Sequence, residues 1–246
     1  MQWNSICFDL DNTLFSHEAA FKRAMEDCFH TLIKPAPGCD HVTFKDFFPV
    51  FKRNSDRFWD LFEKKKVSGT EYRRMRFTKT MDELSLRLGN READRFHERY
   101  YRIVDEFTEP FPGIESLFDM LGRKGVRLGI ITNGTTDTQY RKLEKLNISR
   151  WVTPEQMIVS EEAGVAKPHP EIFRLAEETF SLKEPVLFVG DSWKHDVAGP
   201  IDAGWDSLFL NTRREDRKTD HKPAAECFTI QEVHDFLQSR LSGGGS

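Results

Sequence analysis

Asp9 and Asp11 stand two residues apart in Asp9-Leu-Asp11-Asn-Thr13, at the end of the short apolar run Ser5-Ile-Cys-Phe8. Alternate side chains of an extended strand share a face, so both carboxylates point the same way. Held together they repel, and a bound cation relieves the repulsion. Three later segments can complete such a site. Thr132-Asn133-Gly134 follows Gly129-Ile-Ile131, Lys167-Pro168 comes after Met157-Ile-Val159, and Gly190-Asp191-Ser192 follows Val186-Leu-Phe-Val189 with Asp196 five residues beyond Asp191.

Together these residues suit phosphoryl transfer. A phosphomonoester dianion repels a carboxylate nucleophile until its charge is neutralised. A hard divalent ion on Asp9 and Asp191 does this, with Mg²⁺ keeping waters and taking a substrate oxygen. Lys167 adds a fixed positive charge. Thr132 can donate its hydroxyl, and Asn133 and Gly134 their backbone N–H groups, near a helix start that favours anions. Asp9 is then placed to attack phosphorus, and Asp11 to protonate the leaving alcohol and later take a proton from water.

The elements that must position these groups alternate. Apolar runs at 126–131, 157–159, 185–189 and 206–210, with a first strand near 3–8, are separated by helical patterns near 113–124, 135–146, 170–181 and 193–203. This alternation predicts an α/β fold, a parallel sheet with helices on both faces. Residues 16–108 contain no strand pattern. Phe44, Phe47, Phe48 and Phe51, then Phe58, Trp59 and Phe62, recur at helical spacing, and Pro35-Ala-Pro-Gly38 and Val67-Ser-Gly-Thr70 read as breaks. About four helices are expected there, inserted after the first strand and so at the sheet edge where ligands bind. Phe58, Trp59 and Phe62 read as core of that bundle. Lys64-Lys-Lys66 and Arg73-Arg-Met-Arg76 read as solvated helix faces, the alternative being an arginine that reaches the substrate. Thr13 reads as a brace for its loop and Ser192 as a helix N-cap.

The 246 residues suffice for one large domain or a domain with an inserted lid, and a net charge of −4 argues against general nucleic-acid binding. No apolar segment approaches the roughly 18 residues of a membrane span, and no secretory leader is visible. Cys7, Cys28, Cys39 and Cys227 are scattered without a CxxC pair, which suits reduced thiols in the cytoplasm rather than disulfides or zinc. Ser242-Gly-Gly-Gly-Ser246 reads as a flexible tail.

The four segments, in this order, resemble the signature motifs of the haloacid dehalogenase (HAD) superfamily of hydrolases. The resemblance implies a Rossmann-like core at 1–15 and 109–241, with the nucleophile strand central, and a first-type helical cap at 16–108. It implies Asp9 as nucleophile and Mg²⁺ ligand, and Asp11 as acid/base that also gives its backbone carbonyl to the metal. Thr132, Asn133 and Lys167 would bind phosphate, Asp191 would be a metal ligand, and Asp196 would order Lys167 or metal-bound water. Members that cleave carbon–halogen bonds generally lack the acid at the Asp11 position and the full metal site, so phosphatase is expected over dehalogenase. The stretches Ser160–Phe173, Gly190–Asp196 and Gly199–Gly204 are similar to the subgroup of pyrimidine 5′-nucleotidases and N-acylneuraminate-9-phosphatases. The expected substrates are nucleoside 5′-monophosphates, with a sugar phosphate as the second choice and a phosphomutase, a dehalogenase or a non-catalytic binding protein as rivals. The expected partner is a small phosphate ester, with no nucleic acid or membrane, in a monomer or homodimer.

Overall fold

The structure, a computed structural model, describes residues 2–64 and 66–241. The tail at 242–246 and Lys65 of the lysine run lie outside the described residues. The chain divides into two compact units, with break points between His17 and Glu18 and between Phe107 and Thr108. Strand β1, Ser5–Phe8, is buried along its whole length, as a strand covered on both faces must be.

The unit Glu18–Phe107 is helical. It contains α1 (His17–Cys28, which begins one residue before the break), α2 (Phe44–Glu63), α3 (Gly69–Glu83) and α4 (Asn90–Ile103). Local chemistry sets the helix starts. The Thr43 hydroxyl accepts from Asp46 N while Asp46 Oδ2 accepts from Thr43 N at 3.0 Å. Ser68 and Glu71 form the same reciprocal pair ahead of α3, at 2.7 and 3.2 Å. Phenylalanines fill the bundle: Phe47 lies 5.3 Å from Phe29 and 5.2 Å from Phe51, and Phe96 lies 5.5 Å from Phe51 and 5.3 Å from Phe77. Each such pair adds about 0.5–1.5 kcal/mol beyond area burial.

Two expectations for this unit need correction. Trp59 is not core: it is 48% exposed, and its ring lies against Phe62 and Tyr72 at 5.3 and 5.6 Å. Arg76 is not on a solvated face. It shares the inward stripe of α3 with Tyr72, Phe77, Thr80 and Met81 and is buried. Its neighbour Arg74 keeps to the surface, paired with Asp94 at 2.9 and 2.6 Å.

In the other unit, α5 (Ile114–Arg123) leads into β2 (Arg127–Thr132), α6 (Thr136–Lys145), β3 (Met157–Val159), the short α7 (Ser160–Ala163), α8 (Pro170–Phe180) and β4 (Val186–Gly190). A short helix α9 (Gly199–Asp202), strands β5 (Asp206–Leu210) and β6 (Ala225–Cys227) and helix α10 (Ile230–Leu241) complete it. The strands form one sheet in the order β3-β2-β1-β4-β5-β6, every pairing parallel. The expected α/β architecture is therefore present, with β1 inside the sheet between β2 and β4, where the strand order reverses. The sequence reading placed no element after Leu210. Strand β6 has only three residues, one of them Glu226, whereas α10 buries Ile230, Val233, Leu237 and Leu241 at legible helical spacing.

The helix expected over 193–203 is split into a π-helical turn, Trp193–Ala198, and α9. Pro200 has no N–H to give the carbonyl four residues earlier. That carbonyl, of Asp196, accepts instead from Ser207 Oγ at 2.7 Å. Where the chain leaves β1 and where it returns ahead of α5, the two stretches lie together: Phe111 N donates to Leu14 O at 2.9 Å, and Phe15 bridges Pro110.

Candidate active site

The ladders of β1 carry the chain to Asp9. Phe8 is in register with Ile130 on one side and Val189 on the other, and Asp9 N donates to Val189 O at 2.9 Å. The backbone then turns sharply through Asn12, at φ 60°, and Leu14 N bonds Leu10 O at 3.0 Å. This turn brings Thr13 Oγ1 within 3.1 Å of Asp9 Oδ2, to which it donates. Asp9 is thus braced on one oxygen while only 6% exposed.

Its other oxygen accepts from Lys167. The Lys167 ammonium lies 2.7 Å from Asp9 Oδ1 and 2.7 Å from Asp196 Oδ1, above the Phe188 ring at 4.8 Å. Asn133 fixes the Lys167 backbone from both sides: its Nδ2 donates to Lys167 O at 2.9 Å and its Oδ1 accepts from Lys167 N at 2.9 Å. The Asn133 side chain therefore positions the lysine. Asp196 is held by Ser192 N, which donates to Oδ2 at 2.9 Å, while Ser192 Oγ caps the following turn by accepting from His195 N. Asp196 packs against the backbone of Gly190, where a Cβ would sit 2.5 Å from its Cβ and Cγ. Only glycine fits there.

Asp11 is bound to α6. Lys142 Nζ lies 2.7 and 2.9 Å from its two oxygens, and Gln139 Nε2 donates to Oδ2 at 2.9 Å. The same amide reaches Thr132 Oγ1 at 2.7 Å and Asn133 O at 3.1 Å. With its oxygen so engaged, the Thr132 hydroxyl has its own proton to donate elsewhere. His17 Nδ1 is 3.5 Å from Asp11 Oδ1. Asp191 pairs with Arg213 at 2.8 Å.

The structure therefore brings all the residues singled out from the sequence, Asp9, Asp11, Thr132, Asn133, Lys167, Asp191 and Asp196, into one cluster at the C-terminal edge of the sheet. Sequence reasoning missed Gln139, Lys142 and Arg213. The signal for the first two was present: they share a face of α6 with Leu143 and Leu146, polar residues in an otherwise apolar stripe. Arg213, in the loop after β5, had no periodicity to betray it.

Electrostatics separates the two motif aspartates. Burial pushes Asp9 upward, and the Lys167 charge offsets this only in part. Burial also raises Asp191, reinforced by the Asp9 and Asp196 charges. Burial would raise Asp11 too, but Lys142 and His17 outweigh it and hold Asp11 at about 2. Lys167 moves the other way: burial opposes its charge, and Asp196 and Asp9 more than compensate, so it stays protonated. Asp9, Asp191 and Asp196 each offer an oxygen within 4.8 Å of the others. These are hard oxygen donors whose mutual repulsion a divalent cation would relieve, and the set fits such an ion. Each of the three also has a protein partner: Asp9 has Lys167 and Thr13, Asp191 has Arg213, and Asp196 has Lys167 and Ser192 N.

Fold and site together define an α/β protein with a buried cluster of carboxylates and one lysine at its sheet edge. Residues 3–204 match the haloacid dehalogenase-like hydrolase family, and the chain belongs to that family. The pyrimidine 5′-nucleotidase YjjG of Escherichia coli (strain K12) is 28% identical over 242 residues, 97% of this chain and 98% of its own. The pyrimidine 5′-nucleotidase PynA of Streptococcus pneumoniae is 24% identical over 243 residues, 98% of both chains. The crystal structure of the HAD-hydrolase YfnB from Bacillus subtilis, bound to magnesium, superposes with a TM-score of 0.80 at 24% identity, covering 96% of this chain and 99% of that one. The family match and relatives of this kind make the protein an enzyme of the phosphatase type.

Proposed function

We propose that the protein is a Mg²⁺-dependent phosphatase of small phosphate monoesters, acting on nucleoside 5′-monophosphates. The observation that carries this reading is the carboxylate of Asp9, braced by Thr13 and paired with buried Lys167, with the second acid Asp11 two residues on. Asp9 attacks phosphorus, forming an aspartyl phosphate as the ester oxygen leaves with a proton from Asp11. Water then attacks the aspartyl phosphate, and Asp11 takes its proton. Lys142 keeps Asp11 ionised at rest, so the proton-accepting role is ready as the residue lies. To donate, Asp11 must first gain a proton and turn from Lys142. Lys167 and the Thr132 hydroxyl bind the phosphoryl oxygens. Asp9 and Asp191 would hold Mg²⁺, which when bound neutralises phosphate charge. A halide leaves without a proton and needs no divalent ion, so Asp11 and Asp191 favour phosphatase over dehalogenase. The helical unit, inserted directly after the nucleophile loop, is proposed as the cap that selects the leaving group and excludes water. Four buried, unpaired cysteines suit the cytoplasm.

Phosphate release from nucleotides, sugar phosphates and phosphoamino acids, with Mg²⁺ or with EDTA, tests the proposal. Release from nucleoside monophosphates is expected with Mg²⁺ only, and Asp9→Asn should lower it by about 10⁴-fold or more with the fold intact by circular dichroism. Turnover near wild type in that variant would sink the aspartyl-phosphate mechanism.

A further inference from the structure

We infer that the helical unit carries a ligand site of its own: a pocket between α3 and α4 that binds a small oxyanion, phosphate or carboxylate, through the Nδ1–H of His97 and the guanidinium of Arg73. The pocket is an open hollow of about 390 Å³, and its walls include Thr70, Arg73, Arg74, Asp94, His97 and Tyr101.

The protonation of His97 follows from its partner. Arg76 Nε–H donates to His97 Nε2 at 3.1 Å. A guanidinium only donates, so Nε2 is the acceptor, the ring is neutral and its one proton sits on Nδ1. Burial, with the charges of Arg76 and Arg73, keeps the ring neutral by pushing its pKa well below the usual value. Yet Nδ1 is buried and has no hydrogen-bond partner among the described residues, in a side chain 3% exposed. A buried N–H without an acceptor is costly, and a native fold keeps one where something else supplies the acceptor.

The charge around it points to an anion. Buried Arg76 has neutral partners, His97 and the Tyr72 hydroxyl at 3.1 Å, with its guanidinium 4.7 Å from the Tyr72 ring. Arg74 is taken up by Asp94. Arg73 donates to the neutral Thr70 Oγ1 at 3.0 Å and lies over the Tyr101 ring at 5.6 Å. A water could accept from Nδ1, but an oxyanion would also give Arg73, hydrogen-bonded to the neutral Thr70 and sharing Asp94 with Arg74, a negative partner of its own. Glu98, also in the wall, opposes the anion; it is exposed, so solvent screens its charge. Because Nδ1 is shielded even from this open pocket, the side chains between them must part for the ligand to reach it.

The test is imidazole ¹⁵N NMR of the full-length protein, titrated with inorganic phosphate and, separately, with acetate. Binding should shift the His97 Nδ1–H signal saturably, with a Kd of about 1 mM for the preferred anion. Arg73→Gln should weaken that Kd about ten-fold and Glu98→Gln should tighten it, whereas Asp9→Asn should leave it unchanged, since Asp9 belongs to the other unit. Comparison of the two titrations assigns the site to phosphate or to carboxylate. A His97 signal that stays still to about 50 mM of both anions, or a shift indifferent to Arg73→Gln, would overturn the proposal.

Discussion

Lys167 in the sheet unit and Arg76 in the helical unit are both buried, at 3% and 5% exposure, yet their surroundings share almost nothing. Lys167 sits between two carboxylates, each 2.7 Å away. Arg76 sits between an imidazole, a phenol and two aromatic rings, with Phe51 at 5.2 Å and Tyr72 at 4.7 Å. The first arrangement concentrates opposite charges that a reaction can draw upon. The second disperses one charge over polarisable neighbours and holds helices together. A buried cation is thus a sign of chemistry only when the groups facing it can themselves react.

Four measurements bear on this contrast. The largest effect belongs to Lys167→Ala, which leaves Asp9 and Asp196 buried without their shared cation. Urea unfolding should show a loss of about 3–5 kcal/mol, with turnover falling about 10³-fold. A loss below about 1 kcal/mol would erase the distinction between the two cations. Arg76→Ala should cost about 2 kcal/mol, from hydrogen bonds to a charged group, while turnover per folded molecule stays within about two-fold. A collapse in turnover without unfolding would mean that Arg76 is more than a fold element.

The third measurement uses pH. Asp9 and Asp191 are raised in the folded protein, so the folded state binds protons that the unfolded chain has already released. Without a cation, these two groups cost stability as pH rises above the ordinary carboxylate range of about 4. Bound Mg²⁺ removes that cost, and protons compete with it at low pH. Magnesium should therefore raise Tm more at about pH 8 than at about pH 5.5, by about 3 °C or more in differential scanning fluorimetry. An equal shift at both values would contradict the ligand roles given to Asp9 and Asp191. The smallest effect concerns Arg213, 30% exposed and paired with Asp191. Such a pair is worth about 0.5–1 kcal/mol. Arg213→Gln should make half-maximal activity require about three-fold less Mg²⁺ in a metal titration, and a higher requirement would show that Arg213 supports the site instead of competing for it.

Much of the site was legible because its residues follow apolar runs. Asp9, Thr132 and Asp191 each stand at the end of a strand that must be buried on both faces, a pattern short enough to read without a structure. Residues acting from helices were harder to find. Gln139 and Lys142 look like solvent-facing polar residues of α6 until the stripe with Leu143 and Leu146 is noticed. In the same way Arg76 differs from Arg73 and Arg74 only by standing four residues after Tyr72 and one before Phe77. Composition cannot distinguish three neighbouring arginines, but helical phase can. The split of the helix over 193–203 follows from Pro200, whose missing donor is visible in the sequence, although its consequence, the bond from Ser207 to Asp196 O, needs a contact across the fold.

The joined stretches at Leu14–Phe111 and Phe15–Pro110 have a consequence for how such an enzyme can change over time. They act as a socket. The host chain clamps the two ends of the insert side by side, so closing the loop costs almost the same entropy whatever its length. A longer, shorter or unrelated module could be plugged in at that point while the sheet behind it keeps its register, and new specificities could be acquired by exchange of a cassette, leaving the reacting groups as they are.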